Sequence, residues 1–121
     1  MSATNNSAFL CRSRFRITVG KEIALGPGKI DLLEAIAEKG SISSAAREMG
    51  LSYRRAWQMV RTVNDCFKSP LVESAKGGKG GGGAKITPLG QRVMRLYRAM
   101  ESKAEKSTQA EWKSLSKLLK N

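Results

Sequence analysis

The chain has 121 residues, which fits one compact domain and leaves no room for two independent cores. Its 22 Lys and Arg outweigh 10 Asp and Glu, for a formal net charge of +12 and a pI near 10.2. Such a surplus points to a polyanionic partner, and the absence of His removes the usual general base of a nucleophilic triad and the commonest neutral metal ligand.

Hydrophobic residues make up 40% of the chain, enough for the core of a small domain. No apolar stretch approaches the roughly 20 residues that span a bilayer, and the first ten residues lack the charged and apolar regions of a signal peptide. A soluble, cytoplasmic protein is therefore expected. Cys11 and Cys66 stand far apart with no CxxC spacing, which suits neither a zinc knuckle nor a disulfide framework. Both are expected to be reduced thiols, and neither a metal nor a cofactor is predicted.

Residues 1–12 are polar and rich in small side chains, and are read as a flexible lead-in to a folded domain over 13–106. From Arg12 to Gly20 the pattern alternates, with Phe15, Ile17 and Val19 on one side, which predicts a half-buried strand. Ile23 and Leu25 either extend that strand or pair with it, and Gly26-Pro27-Gly28 reads as a turn. Lys29 to Lys39 places Ile30, Leu33, Ile36 and Ala37 at helical spacing, with Asp31, Glu34 and Glu38 outward and Gly40 as the stop.

Ser43 is the predicted N-cap of a short Ala-rich helix ending at Gly50, and Ser52 the N-cap of a longer one from Tyr53 to Phe67. Ala56, Trp57, Val60, Val63 and Phe67 form the apolar stripe of the longer helix, which Ser69-Pro70 should end. Two short strands, Leu71 to Ser74 and Ala84 to Thr87, flank Gly77 to Gly83, where six of the 12 glycines lie. From Pro88 onward Leu89, Val93, Leu96, Tyr97, Met100 and Ala104 predict a long amphipathic helix. Residues 107–121 form a basic amphipathic tail with Trp112, Leu115, Leu118 and Leu119.

The order is that of a mainly α fold with a small β component: a helix-turn-helix followed by a hairpin. A three-residue turn, Gly50-Leu51-Ser52, fixes the crossing of a short and a longer helix so that one of them protrudes, and duplex DNA accepts such a helix in its major groove. Tyr53, Arg54, Arg55, Gln58 and Arg61 point away from the apolar stripe. Arg suits guanine, Gln suits adenine, and Ser43, Ser52 and the helix N-termini suit phosphate. An ordinary solvated helix face would look similar, but the charge surplus and the glycine hairpin favour DNA binding.

Lys76, Lys79 and Lys85 surround the glycine segment, whose backbone can lie close to a phosphate chain, as a wing does; a flexible loop would carry the same composition. A phosphate-cradling P-loop is not expected, because Gly80 follows Lys79 where Ser or Thr is needed and the four-residue spacer is missing. Residues 43–68 and 69–92 each carry a net charge of +3, and no segment is acidic. The tail lysines, from Lys103 to Lys120, add phosphate contacts, stay solvated or flank a dimer, and the tail is too short to anchor a membrane alone. Enzymatic chemistry finds no support, since the carboxylates lack a paired base.

Gly40-Ser41-Ile42-Ser43-Ser44-Ala45-Ala46-Arg47, Ser52-Tyr53-Arg54-Arg55-Ala56-Trp57, the glycine wing and Ile86-Thr87-Pro88-Leu89-Gly90 resemble the N-terminal DNA-binding domain of ModE-type molybdate-responsive regulators. That domain has a helix-turn-helix similar to that of LysR-type regulators. The resemblance covers Arg14 to Glu105 and implies a winged helix-turn-helix with an N-terminal strand, a glycine-rich hairpin wing and a long C-terminal helix. It also implies a homodimer joined through terminal helices on palindromic double-stranded DNA. Carried over, Ser52, Tyr53, Arg54, Arg55 and Gln58 would be recognition-helix contacts and Gly77 to Gly83 the wing. Full-length members carry C-terminal domains that sense molybdate. This sequence resembles the stand-alone members, and no residue matches an oxyanion site. The alternative to a sequence-reading regulator is a nucleoid-type or RNA-binding protein that uses charge alone.

Overall fold

A computed structural model of the chain describes residues 9–75 and 82–120. Strands β1 (Ile17–Val19) and β2 (Glu22–Leu25) form an antiparallel pair, with Thr18 opposite Ile23 and Val19 opposite Glu22. Ile23 and Leu25 thus pair with the first strand and do not extend it. The alternating face is shorter than expected: Phe15 and Ile17 pack against the core, while Val19 is exposed.

Gly26-Pro27-Gly28 is not a separate turn. Pro27 opens helix α1 (Pro27–Lys39) at its first position, where a missing N–H costs no hydrogen bond, and Gly26 is the N-cap. Ile30, Leu32, Leu33, Ala35 and Ile36 are buried, and Ala37, placed in the stripe by spacing, is exposed. The buried face is displaced toward Leu32 because α1 is the central element, packed on its neighbours on every side but that of Ala37 and Glu38.

Helix α2 (Ile42–Met49) is capped by Ser41, whose hydroxyl accepts a hydrogen bond from the Ser44 N–H at 3.0 Å. The cap is therefore two residues before Ser43, which lies in the first turn with its side chain exposed. Gly50 ends α2 at φ 69, a left-handed conformation that glycine adopts without strain, and the Leu51 N–H closes back on the Ala46 carbonyl at 2.9 Å. Ser52 then caps α3 (Tyr53–Cys66), accepting from the Arg55 N–H at 3.0 Å. The small side chains of Ala45, Ala46 and Ala56 are almost wholly buried, allowing α1, α2 and α3 to approach closely.

The buried face of α3 consists of Ala56, Met59, Val60 and Val63. Trp57 is 43% exposed, contrary to its place in the predicted stripe, and Met59 fills the core position instead. The helix already ends at Cys66, with Phe67 extended and half-buried ahead of Ser69-Pro70.

Strands β3 (Val72–Ala75) and β4 (Gly83–Ile86) pair antiparallel, Val72 opposite Ile86 and Ala75 opposite Gly83. Thr87 joins the hairpin to helix α4 (Pro88–Ser107): its hydroxyl donates to the Pro70 carbonyl at 2.8 Å and caps the Gly90 N–H at 3.0 Å. A Cβ at Gly90 would lie 2.5 Å from the Leu71 carbonyl oxygen, so only glycine lets the start of α4 come this close to β3. Along α4, Tyr97 is buried and donates its hydroxyl to the Phe15 carbonyl at 2.7 Å, whereas Leu96 and Met100, also in the predicted stripe, are exposed. Helix α5 (Gln109–Ser116) follows a break at Thr108.

Candidate nucleic-acid interface

Helix α3 presents Tyr53, Arg54, Arg55, Gln58 and Arg61 to solvent on the side away from Ala56, Val60 and Val63, as the spacing predicts. Its first turn holds no acidic side chain, so the positive end of the helix dipole is left for an anion beside the Ser52 cap. Behind this surface Lys29 of α1 sits close to Arg55. Burial, and then the like charge of Arg55, lower the Lys29 pKa below the ordinary lysine value. This lysine, which the sequence reading did not single out, strengthens the positive field at Arg55.

The hairpin stands beside α3 because Asn64 holds it there. The Asn64 side-chain oxygen accepts from the Leu71 N–H at 2.8 Å and the Val72 N–H at 3.1 Å, while its amide donates to the Val72 carbonyl at 3.0 Å. On the other strand the Ala84 N–H donates to the carbonyl of Gly40 at 2.9 Å, tying the hairpin to the end of α1. Helix and hairpin are thereby placed as one body. No sequence signal marks Asn64, since its three bonds go to backbone that spacing alone does not bring near.

Between α3 and the hairpin lies an open cleft of about 460 Å³, with Ser43, Tyr53 and Trp57 on one wall and Val72, Ser74 and Ala84 on the other. Ser43, although not a cap, therefore lines the cleft between α3 and the hairpin. On the opposite flank of α3 a second cleft gathers Lys29, Arg55, Gln58 and Arg61, together with Glu22 and Asp65. Arg61 pairs loosely with Asp65 at 3.9 Å and lies 5.5 Å from the ring centroid of Trp57. Lys85 is exposed on β4 and faces Glu73 across the hairpin at 3.5 Å. Lys76 and Lys79 fall outside the described residues, as does most of the glycine segment. Among the described residues no cluster of His, Cys, Asp and Glu could hold a metal ion, and no helix is long and apolar enough to cross a membrane.

Residues 28–91, just over half of the chain, match the lysR family of bacterial regulatory helix-turn-helix proteins. The chain belongs to that family. The matched stretch runs from α1 through the hairpin to the start of α4, so this lysR-family segment contains every basic residue named above.

Among its relatives, the molybdenum-pterin-binding protein MopB of Rhodobacter capsulatus is 45% identical over 91 residues, 75% of this chain and 34% of that one. The molybdenum transport protein ModE of Azotobacter vinelandii is 43% identical over 84% of this chain and 36% of its own length. The DNA-binding transcriptional dual regulator ModE of Escherichia coli K12 is 49% identical over 59% of this chain and 27% of its own length. The chain thus spans about a third of the curated relatives it matches. In fold it is similar to full-length LysG of Corynebacterium glutamicum, with a TM-score of 0.54 and 22% identity over 77% of this chain and 30% of that one. The winged helix-turn-helix architecture is shared with that regulator.

Proposed function

We propose that this chain is a sequence-specific, double-stranded DNA-binding transcriptional regulator of the cytoplasm. It inserts α3 into the major groove and lays the β3–β4 hairpin along the neighbouring backbone. The observation that carries this reading is the first half of α3, basic, exposed and free of acidic side chains in its first turn, held beside a hairpin by Asn64. Ser52, Tyr53, Arg54, Arg55 and Gln58 supply the groove contacts, Ser43 and Arg61 flank them, and Lys76, Lys79 and Lys85 bind phosphate. The names of its relatives support a role in molybdenum-related gene control.

The same reading includes a homodimer on an inverted-repeat operator. Leu96 and Met100 on α4 and Leu115 on α5 are exposed apolar side chains outside the reading surface, which supports pairing through the terminal helices. Selection from random duplexes should return an inverted-repeat motif bound at least about a thousandfold more tightly than random sequence. A pool with no enriched motif overturns the proposal and leaves a charge-driven nucleoid-type or RNA-binding protein. Light scattering of the free protein should give the mass of two chains.

A further inference from the structure

We propose that Trp57 is a base-reading residue, whose indole meets the 5-methyl group of a thymine on the floor of the major groove. The inference rests on the DNA-binding reading above and deepens it. Tryptophan is the largest apolar side chain, and the core of α3 closes with Ala56, Met59, Val60 and Val63 and leaves Trp57 43% exposed. Packing therefore does not account for the exposed part of the ring.

Its position does. Trp57 lines both clefts that flank α3, one toward the hairpin and one toward Lys29 and Arg55, and so forms the ridge between them. A ridge on a helix that enters a groove is the part that reaches deepest. Tyr53 stands one turn before it, 55% exposed, and Arg61 one turn after it, with the guanidinium 5.5 Å from the ring centroid. That cation–π contact steadies the ring and sets a positive charge beside it.

The occupant follows from this mixture. An apolar protein partner would have to desolvate Arg54, Arg55 and Arg61, of which only Arg61 has a loose carboxylate partner, in Asp65, at high cost. The major groove offers phosphates on its rims for the arginines and, on its floor, one apolar group among the four bases, the thymine methyl. A ring framed by cations matches that arrangement, and the indole N–H remains a donor for a neighbouring base acceptor.

The test uses the motif returned by selection, with each thymine replaced in turn by deoxyuridine, which removes only the methyl. The unmodified protein should lose roughly three- to tenfold in affinity at one symmetry-related pair of thymines. Trp57→Ala should bind the thymine and deoxyuridine duplexes equally at that pair, and Trp57→Phe should keep part of the difference. In a Trp112→Phe background Trp57 is the only tryptophan, and operator binding should shield its fluorescence from acrylamide.

A scan with no sensitive thymine, or the same sensitivity in Trp57→Ala, overturns the role of Trp57. Unchanged acrylamide access in the operator complex also overturns it and turns attention to an acidic protein partner. These results are distinct from the failure of selection to yield any motif, which removes the DNA-reading proposal itself. The deoxyuridine scan with the unmodified protein does not depend on whether any variant folds.

Discussion

Arg98 of α4 grips the carboxylate of Glu34 on α1 with both arms of its guanidinium, Nε donating to Oε2 at 2.9 Å and Nη2 to Oε1 at 2.6 Å. The same side chain reaches Asp31 at 2.9 Å and Glu101 at 2.8 Å, so one cation serves three carboxylates and ties the long helix to the central one. Hydrogen bonding to Glu34 holds the guanidinium charged well beyond its ordinary range. One guanidinium among three carboxylates leaves a net negative charge at this joint of α1 and α4, which Arg98 reduces but does not cancel.

Arg98→Ala should destabilise the domain by about 1 kcal/mol, a modest figure because the groups are partly open to solvent and screened. Urea unfolding measures it, and the loss should shrink in about 0.5 M salt. Lysine at this position should restore only part of the stability, since it lacks the bidentate fork. No change in the unfolding midpoint would show that the cluster is electrostatically idle.

Tyr97 supplies the second tie of α4, to the Phe15 carbonyl, and its burial raises the phenol pKa above the ordinary value of 10.0. A raised pKa means that the folded state holds the proton more tightly than the unfolded chain. The stabilisation is fully present below pH 10.0 and is lost as the pH climbs from there through the folded-state value. Thermal melts should therefore fall more steeply above that point for the natural protein than for Tyr97→Phe. At neutral pH the variant should be less stable by about 1 kcal/mol, through the lost hydrogen bond.

Asn64→Ala removes the acceptor for two amides and the donor to one carbonyl, and should cost about 1–3 kcal/mol. Hydrogen exchange gives the more direct reading, with protection lost first at Leu71 and Val72. Asn64→Asp keeps the acceptor oxygen and should preserve that protection in part. If exchange at these amides is unaltered by the alanine variant, the hairpin is not held from α3.

On the reading surface, Arg54→Ala or Arg55→Ala should weaken the preferred operator by about 1–3 kcal/mol and relax the choice of base at one position. Lys85→Ala should weaken all duplexes alike and flatten the salt dependence by about one ion. Titrations at several salt concentrations separate the two effects. Equal, sequence-independent losses from all three variants would mean that α3 binds phosphate only.

The helix-turn-helix was legible in the sequence because its signals are local: Ser52 caps, Gly50 turns, and the apolar spacing repeats within a few residues. The misplaced residues lie where locality fails. Trp57 is next to the stripe in helical projection, and only tertiary packing, with the Met59 methyl set against Gly28 of α1, decides that Met59 goes inside. Ser41 and Ser43 are chemically the same cap, and the choice between them depends on where Gly40 ends α1. Asn64 was invisible because its partners lie on a different element, the hairpin root. Pro27 looked like a turn because glycines flank it, yet proline is as suited to the first position of a helix.

The hairpin is bonded to two elements at once, at its root to α3 through Asn64 and, at Ala84, to the end of α1 through Gly40. Under the proposed function a duplex meets α3 and the described strands of the hairpin as a single die. In a dimer such a head leaves little to adjust within each half-site. The variable is then the distance and twist between two heads. Operators that keep both half-sites but change the spacer between them should be rejected more sharply than operators with a single base altered.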